Sequence, residues 1–264
     1  TEERDGPPAS FNSSFVRTVK LILAYDGTDY AGWQVQTNQR TLQGTLEAAL
    51  QKITGETVRV VASGRTDAGV HALGQVVSFV TASPLEAGVL QKALNAELPD
   101  DMAVLEAGEA PDGFHAIRDA RRKRYRYVIH DGPARDVFRR RYAWHYRRRL
   151  DADAMHRAAQ PLVGRHDFRS FETGWPQRTS SVRTVFEISV RRGWTSDSDL
   201  VALEIEADGF LYNMVRAIVG TLVEVGRGER PESWPGEVLA AQDRRAAGMT
   251  APPEGLFLVS VAYG

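Results

Sequence analysis

A chain of 264 residues, 42% hydrophobic and 25% charged, carries enough apolar side chain for one large core or two smaller ones. It contains no cysteine, which excludes thiol catalysis, disulfides and cysteine-ligated zinc and points to a cytoplasmic home. The formal net charge is −1, no apolar run has the length of a membrane span, and the polar start of the chain lacks a signal-peptide core.

Thr1–Ser14, with Pro7, Pro8, Ser10, Asn12, Ser13 and Ser14, predicts poor order, and residues 1–15 are set apart as a disordered tail. Thr18–Tyr25 alternates as a buried strand does. Thr41–Thr54 predicts a helix with Thr41 as its N-cap, because Leu42, Leu46, Ala49, Leu50 and Ile53 follow the 3.6-residue repeat. Val58–Ala62 and Gln75–Val80 read as strands, followed by a helix near Pro84–Asn95 and a strand near Met102–Ala107. Beyond a boundary near Pro111–Ala120 the mixture repeats. Arg124–His130, Tyr142–Tyr146, Ser181–Arg191, Leu200–Ala207 and Leu256–Ala262 predict strands, and Asp151–Gln160 and Leu211–Val225 predict helices. Strands and helices mixed within each half predict an α+β protein of two similar-sized lobes, at 16–115 and 116–264.

Charge is not spread evenly along this chain. Between Arg118 and Arg149 there are 13 Lys/Arg against three acids, a local balance of +10, whereas the remainder carries −11. Tyr125, Tyr127, Tyr142, Trp144 and Tyr146 are interleaved with these cations, so the segment reads either as a polyanion-binding face with stacking platforms or as a solvated surface. The six histidines never reach a metal-binding spacing such as H-x-x-x-H, so no metal site is expected.

Ser63-Gly64-Arg65-Thr66-Asp67-Ala68-Gly69-Val70-His71-Ala72 places a single carboxylate on a tight connection between two strands. Gly64 and Gly69 let the backbone turn sharply and let a ligand approach, so Asp67 is either the closing group of an Asx turn or a presented nucleophile. On the Leu211–Val225 helix, Leu211, Met214, Val215, Ile218, Val219 and Leu222 form a core stripe with Arg216 at its edge. That arginine either snorkels to water or pairs with a carboxylate between the lobes.

Three separated motifs resemble the tRNA pseudouridine synthase A family. They are Tyr25-Asp26-Gly27-Thr28-Asp29-Tyr30-Ala31-Gly32-Trp33-Gln34 with the Ser63–Ala72 segment, Phe114-His115-Ala116 leading to Tyr125-Arg126-Tyr127, and Asp208-Gly209-Phe210-Leu211-Tyr212-Asn213-Met214-Val215-Arg216. The resemblance spans nearly the whole chain, from Val19 to Val261. It implies two pseudo-symmetric lobes sharing a central mixed, mainly antiparallel sheet with flanking helices, a homodimer, and no cofactor. It also implies isomerisation of uridine to pseudouridine in the anticodon stem-loop of tRNA, at positions 38 to 40. By the same resemblance Asp67 is the nucleophile, Arg216 its cationic partner, Tyr125 the ring that stacks on the flipped uracil, and Arg65 the group that occupies the space the base leaves. One departure stands out: the family often reads Phe-His-Ala-Arg-Phe where this chain has Phe114-His115-Ala116-Ile117-Arg118, and no role passes to that arginine. Two other classes compete. A non-catalytic RNA-binding module explains the basic segment but leaves the Asp67 loop and Arg216 without a purpose. A carboxylate-based nucleosidase would need a second acid at a suitable distance.

Overall fold

A computed structural model describes residues 16–174 and 180–264, so the tail expected at residues 1–15 lies outside the described residues. The first strand, β1 (Arg17–Tyr25), turns Val19, Leu21, Leu23 and Tyr25 into the core on alternate positions. Helix α1 (Leu42–Thr54) starts where Thr41 accepts a hydrogen bond from Gly44 N and stops at Gly55, whose φ of 74° suits glycine. Then come β2 (Val61–Ala62), β3 (His71–Thr81), α2 (Ala87–Glu97), β4 (Met102–Glu109), β5 (Ala120–His130) and β6 (Trp144–His145). The remaining elements are α3 (Ala152–Ala159), β7 (Gly164–Asp167), β8 (Val182–Arg192), β9 (Leu200–Ala207), α4 (Met214–Gly226), α5 (Trp234–Ala241) and β10 (Leu256–Tyr263).

All ten strands join one sheet with the path β4-β1-β3-β10-β5-β9-β8-β7, while β2 pairs with β3 and β6 with β5. Its pairs are antiparallel except for β3–β10 and β5–β6. The architecture is therefore α+β, with a large mixed, mostly antiparallel sheet and flanking helices. β10 is the seam: Phe257 and Leu258 pair with His71 and Ala72 on one side, and Leu258 pairs with Tyr125 on the other. One apolar cluster runs from Val19 to Leu258 across both halves of the sequence.

Several boundaries differ from expectation for local reasons. The strand expected over Val58–Ala62 pairs only at its last two residues, because Glu47 on α1 accepts from Val60 N at 3.0 Å in place of a ladder partner. β3 begins four residues early because β10 pairs with His71 and Ala72. Within the expected Tyr142–Tyr146 strand only Trp144 and His145 pair, since Tyr142 N instead closes a turn on Arg139 O at 2.8 Å. α4 starts at Met214 rather than Leu211 because Asn213 sits at φ 60°, outside helical geometry.

Candidate active site

The Ser63–Val70 connection between β2 and β3 is held by its backbone and leaves its carboxylate free to face the cleft. Gln75 is fully buried on β3 and forms the hub. It accepts from Ser63 Oγ at 2.7 Å, and its Nε2 donates to Gly64 O at 2.8 Å and to the Tyr25 hydroxyl at 3.3 Å. Tyr25 in turn shares a 2.8 Å hydrogen bond with Thr66 Oγ1. Lys123 Nζ donates to Ser63 O at 2.7 Å, and Trp33 N donates to Thr66 O at 2.9 Å. Gly32, at φ 97°, packs its α-carbon directly under this turn, where a β-carbon would come within 2.9 Å of Thr66 O. Val70 N closes the turn on Asp67 O at 3.1 Å.

Among the described residues no backbone N–H donates to the Asp67 carboxylate, so the Asx-turn reading does not describe this aspartate. Its partner is Arg216, with Nη1 3.6 Å from Oδ2, longer than a hydrogen bond but within ion-pair reach. Arg216 does not snorkel. Its Nε donates to Ala251 O at 2.6 Å and its Nη1 to Asn213 Oδ1 at 2.8 Å. Asn213 is itself anchored through Nδ2 to Thr173 Oγ1 at 2.6 Å. The left-handed backbone at Asn213 thus aims an amide oxygen at the guanidinium just where α4 begins. Burial raises the Asp67 carboxyl pKa above its usual value, and the Arg216 charge opposes that rise.

Asp67, Arg65 and Tyr125 line one cleft of about 620 Å³, together with Trp33, Lys123, Phe210 and Tyr212. Tyr125 is 8% exposed, and Phe210 meets its ring edge-on at 4.9 Å. Burial first, then the proximity of Tyr25 and Asp67, pushes the Tyr125 hydroxyl pKa far above the usual range. Tyr25 is pushed up to about 12, chiefly by burial. Both phenols are therefore protonated at neutral pH. Arg65 is exposed at the rim and makes no ion pair among the described residues. Of the four residues expected at the site, Asp67, Arg65 and Tyr125 line the cleft and Arg216 stands behind it, against Asp67.

The structure adds residues that sequence reasoning missed. Gln75 was hidden inside a strand pattern, whereas Tyr25 and Asn213 stood in quoted motifs without a role. Glu172 is buried at the cleft wall and accepts from Ser181 Oγ at 2.8 Å; nothing in its sequence context marked it. At the departure from the family pattern, Ile117 faces the cleft while Arg118 turns to Asp119 at 2.8 Å.

The basic segment needs a correction. On the sheet face Arg122, Arg124 and Arg126 pair with Glu187, Glu204 and Glu206 of β8 and β9 at 2.6–3.5 Å. Arg139 pairs with Asp197, Arg141 with Asp29 at 3.2 Å, and Arg149 with Asp199 at 2.8 Å. Acids distant in sequence therefore neutralise much of the local +10. Arg135, Arg140, Arg147 and Arg148 have no carboxylate partner among the described residues. Tyr127 is no platform either: it is fully buried and donates to Pro252 O.

Among the described residues, no group of three or more His, Asp or Glu side chains is placed to hold a metal ion, and no helix is long and apolar enough to cross a membrane. A family described as tRNA pseudouridine synthase matches residues 21–118 and 158–264. A tRNA pseudouridine synthase A of Brevibacillus brevis is 49% identical over 248 residues, covering 94% of this chain and all of that protein. One from Thermoanaerobacter sp. (strain X514) is 44% identical over the same share of both. The shared length, the matched motifs and the converging site leave one conclusion: the chain belongs to the tRNA pseudouridine synthase family.

Proposed function

We propose that the protein converts uridine to pseudouridine at positions 38, 39 and 40 of the tRNA anticodon stem-loop, with Asp67 as nucleophile. The observation that carries this reading is a carboxylate on a rigid turn, free of backbone hydrogen bonds among the described residues, beside a fixed arginine and a buried aromatic ring. The reaction breaks the C1′–N1 bond, turns the uracil, joins C5 to C1′, releases the C5 proton and leaves a proton on N1. It is redox-neutral, and every step can be served by side chains. Asp67 attacks C1′ or C6 in its ionised form, which Arg216 favours against burial. Tyr125 stacks on the extruded base; such stacking is worth ~1–3 kcal/mol, comparable with the cost of extrusion. Arg65, exposed at the rim, fills the gap left in the stem.

The finer points rest on likeness to the family's A branch, which also carries the homodimer, the two-lobe division near residue 115 and the cytoplasmic site of action. The test is incubation with unmodified tRNA labelled with tritium at uridine C5, followed by mapping of the product. Label release with pseudouridine at positions 38–40 supports the reading. Free uracil would indicate a nucleosidase, and no change would indicate a binding module.

A further inference from the structure

The connection from β5 to β6 holds an apolar ring out in water. Phe138 is 88% exposed and its neighbour Val137 56%, and no other large apolar side chain among the described residues is as open as Phe138. The loop beneath is firmly tied. Asp136 Oδ1 accepts from Phe138 N at 2.9 Å and Arg139 N at 3.1 Å, Tyr142 N donates to Arg139 O at 2.8 Å, and Arg140 Nη1 donates to Val137 O at 2.7 Å. A ring on a fixed mount loses little freedom when it is covered.

The same loop supplies Arg135, Arg140 and Arg141 to a second cleft of about 620 Å³, joined by Arg147, Trp144 and His145. No residue lines both this cleft and the Asp67 cleft. Glu254 is its one carboxylate, against four guanidinium groups, three of which lack a carboxylate partner among the described residues. A loop that carries an exposed apolar ring and also supplies uncompensated cations to a neighbouring cleft suits a partner with negative charge and flat stackable faces, which describes RNA better than a protein surface.

We propose that residues 135–148 form a second tRNA contact, in which Phe138 stacks on an exposed base and Arg135, Arg140 and Arg147 hold the neighbouring phosphates. This rests on tRNA being the substrate. It separates the docking cations of the loop from the saturated arginines of the sheet face.

The test uses the full chain and a tRNA transcript, with affinity measured over a salt series. Phe138→Ala should weaken binding about 5- to 10-fold, the lower part of the range for base–aromatic stacking, without changing the dependence on log salt. Phe138→Trp should bind as tightly as wild type. The Arg135→Ala/Arg140→Ala double variant should make the salt dependence shallower by about one to two, at ~0.9 for each phosphate no longer neutralised. Because Phe138 is open to water, its alanine variant should melt at the wild-type temperature. Affinity unchanged in Phe138→Ala would overturn the proposal. So would a loss of affinity accompanied by dissociation of a dimer in sedimentation, which would assign the ring to a second copy of the chain. Failure of the wild type to bind tRNA would instead overturn the substrate reading.

Discussion

Arg216→Ala removes the one cation within ion-pair distance of Asp67 among the described residues. At 3.6 Å, with an effective dielectric constant of about 20, their attraction is ~5 kcal/mol before solvent screening. The two side chains are 16% and 27% exposed, so screening leaves about 1–2 kcal/mol, roughly a five- to thirtyfold effect. The sign follows from the carboxyl. Burial already favours its neutral form, Arg216 resists that, and only the ionised form attacks. Without the guanidinium, Asp67 takes up a proton at higher pH, so kcat/KM falls by this factor on the acid side, and the deficit narrows at alkaline pH to whatever the lost anchors cost. The assay is pseudouridine formation under kcat/KM conditions from about pH 5 to about pH 9. Arg216 also holds Ala251 O and Asn213 Oδ1, so Arg216→Gln, a neutral donor, controls for the lost anchors. Arg216→Lys should restore the acid limb but only part of kcat, because a point charge cannot reproduce the planar fork. An acid limb unmoved in both the alanine and glutamine variants would refute the pairing role.

Asp67→Asn should abolish isomerisation while leaving tRNA affinity nearly intact; turnover above about a tenth of wild type, a loss of only ~1.4 kcal/mol, would remove the nucleophile assignment. The same variant should melt at higher temperature than wild type at neutral pH. The folded pKa of Asp67 is raised, so its ionisation opposes folding above the unfolded pKa, and the difference should vanish as pH falls below about 4. Tyr125→Phe should be milder than Tyr125→Leu in single-turnover rates if stacking dominates, since the ring and its Phe210 contact survive; equal, severe losses would point to the hydroxyl. Gln75→Leu should lower both kcat and the unfolding free energy, by about 1–3 kcal/mol for each buried group left unsatisfied, and denaturant melts beside turnover numbers would check it.

Much of the site was legible because its parts are punctuated locally. Glycines bracket Asp67, and the apolar stripe of the helix made Arg216 conspicuous at its edge. The pairing of charges was not legible. Arg124 meets Glu206 across 82 residues of sequence, and only the β5–β9 register brings them together. A local count therefore overstated the basic face. β7 and α5 escaped notice for a different reason. Gly164–Asp167 is a polar edge strand without apolar alternation, and α5 opens on Trp234-Pro235-Gly236 and buries only Pro235 and Val238. Gln75 looked like filler in an apolar strand because its function is carried by partners 12 and 50 positions away.

β10 also acts as a ruler. His71, just after the Asp67 turn, and Tyr125 lie on strands separated only by β10, so its width sets them about 10 Å apart across the sheet. A two-residue slip of β5 against β10 would keep every side chain on its original face and much of the apolar burial. It would nevertheless carry Tyr125 about 7 Å along the sheet from the carboxylate. Turnover should thus report faults in this seam that melting curves barely register. Substitutions at Leu256 or Leu258 that preserve the fold are the place to look for proteins that are sound yet silent.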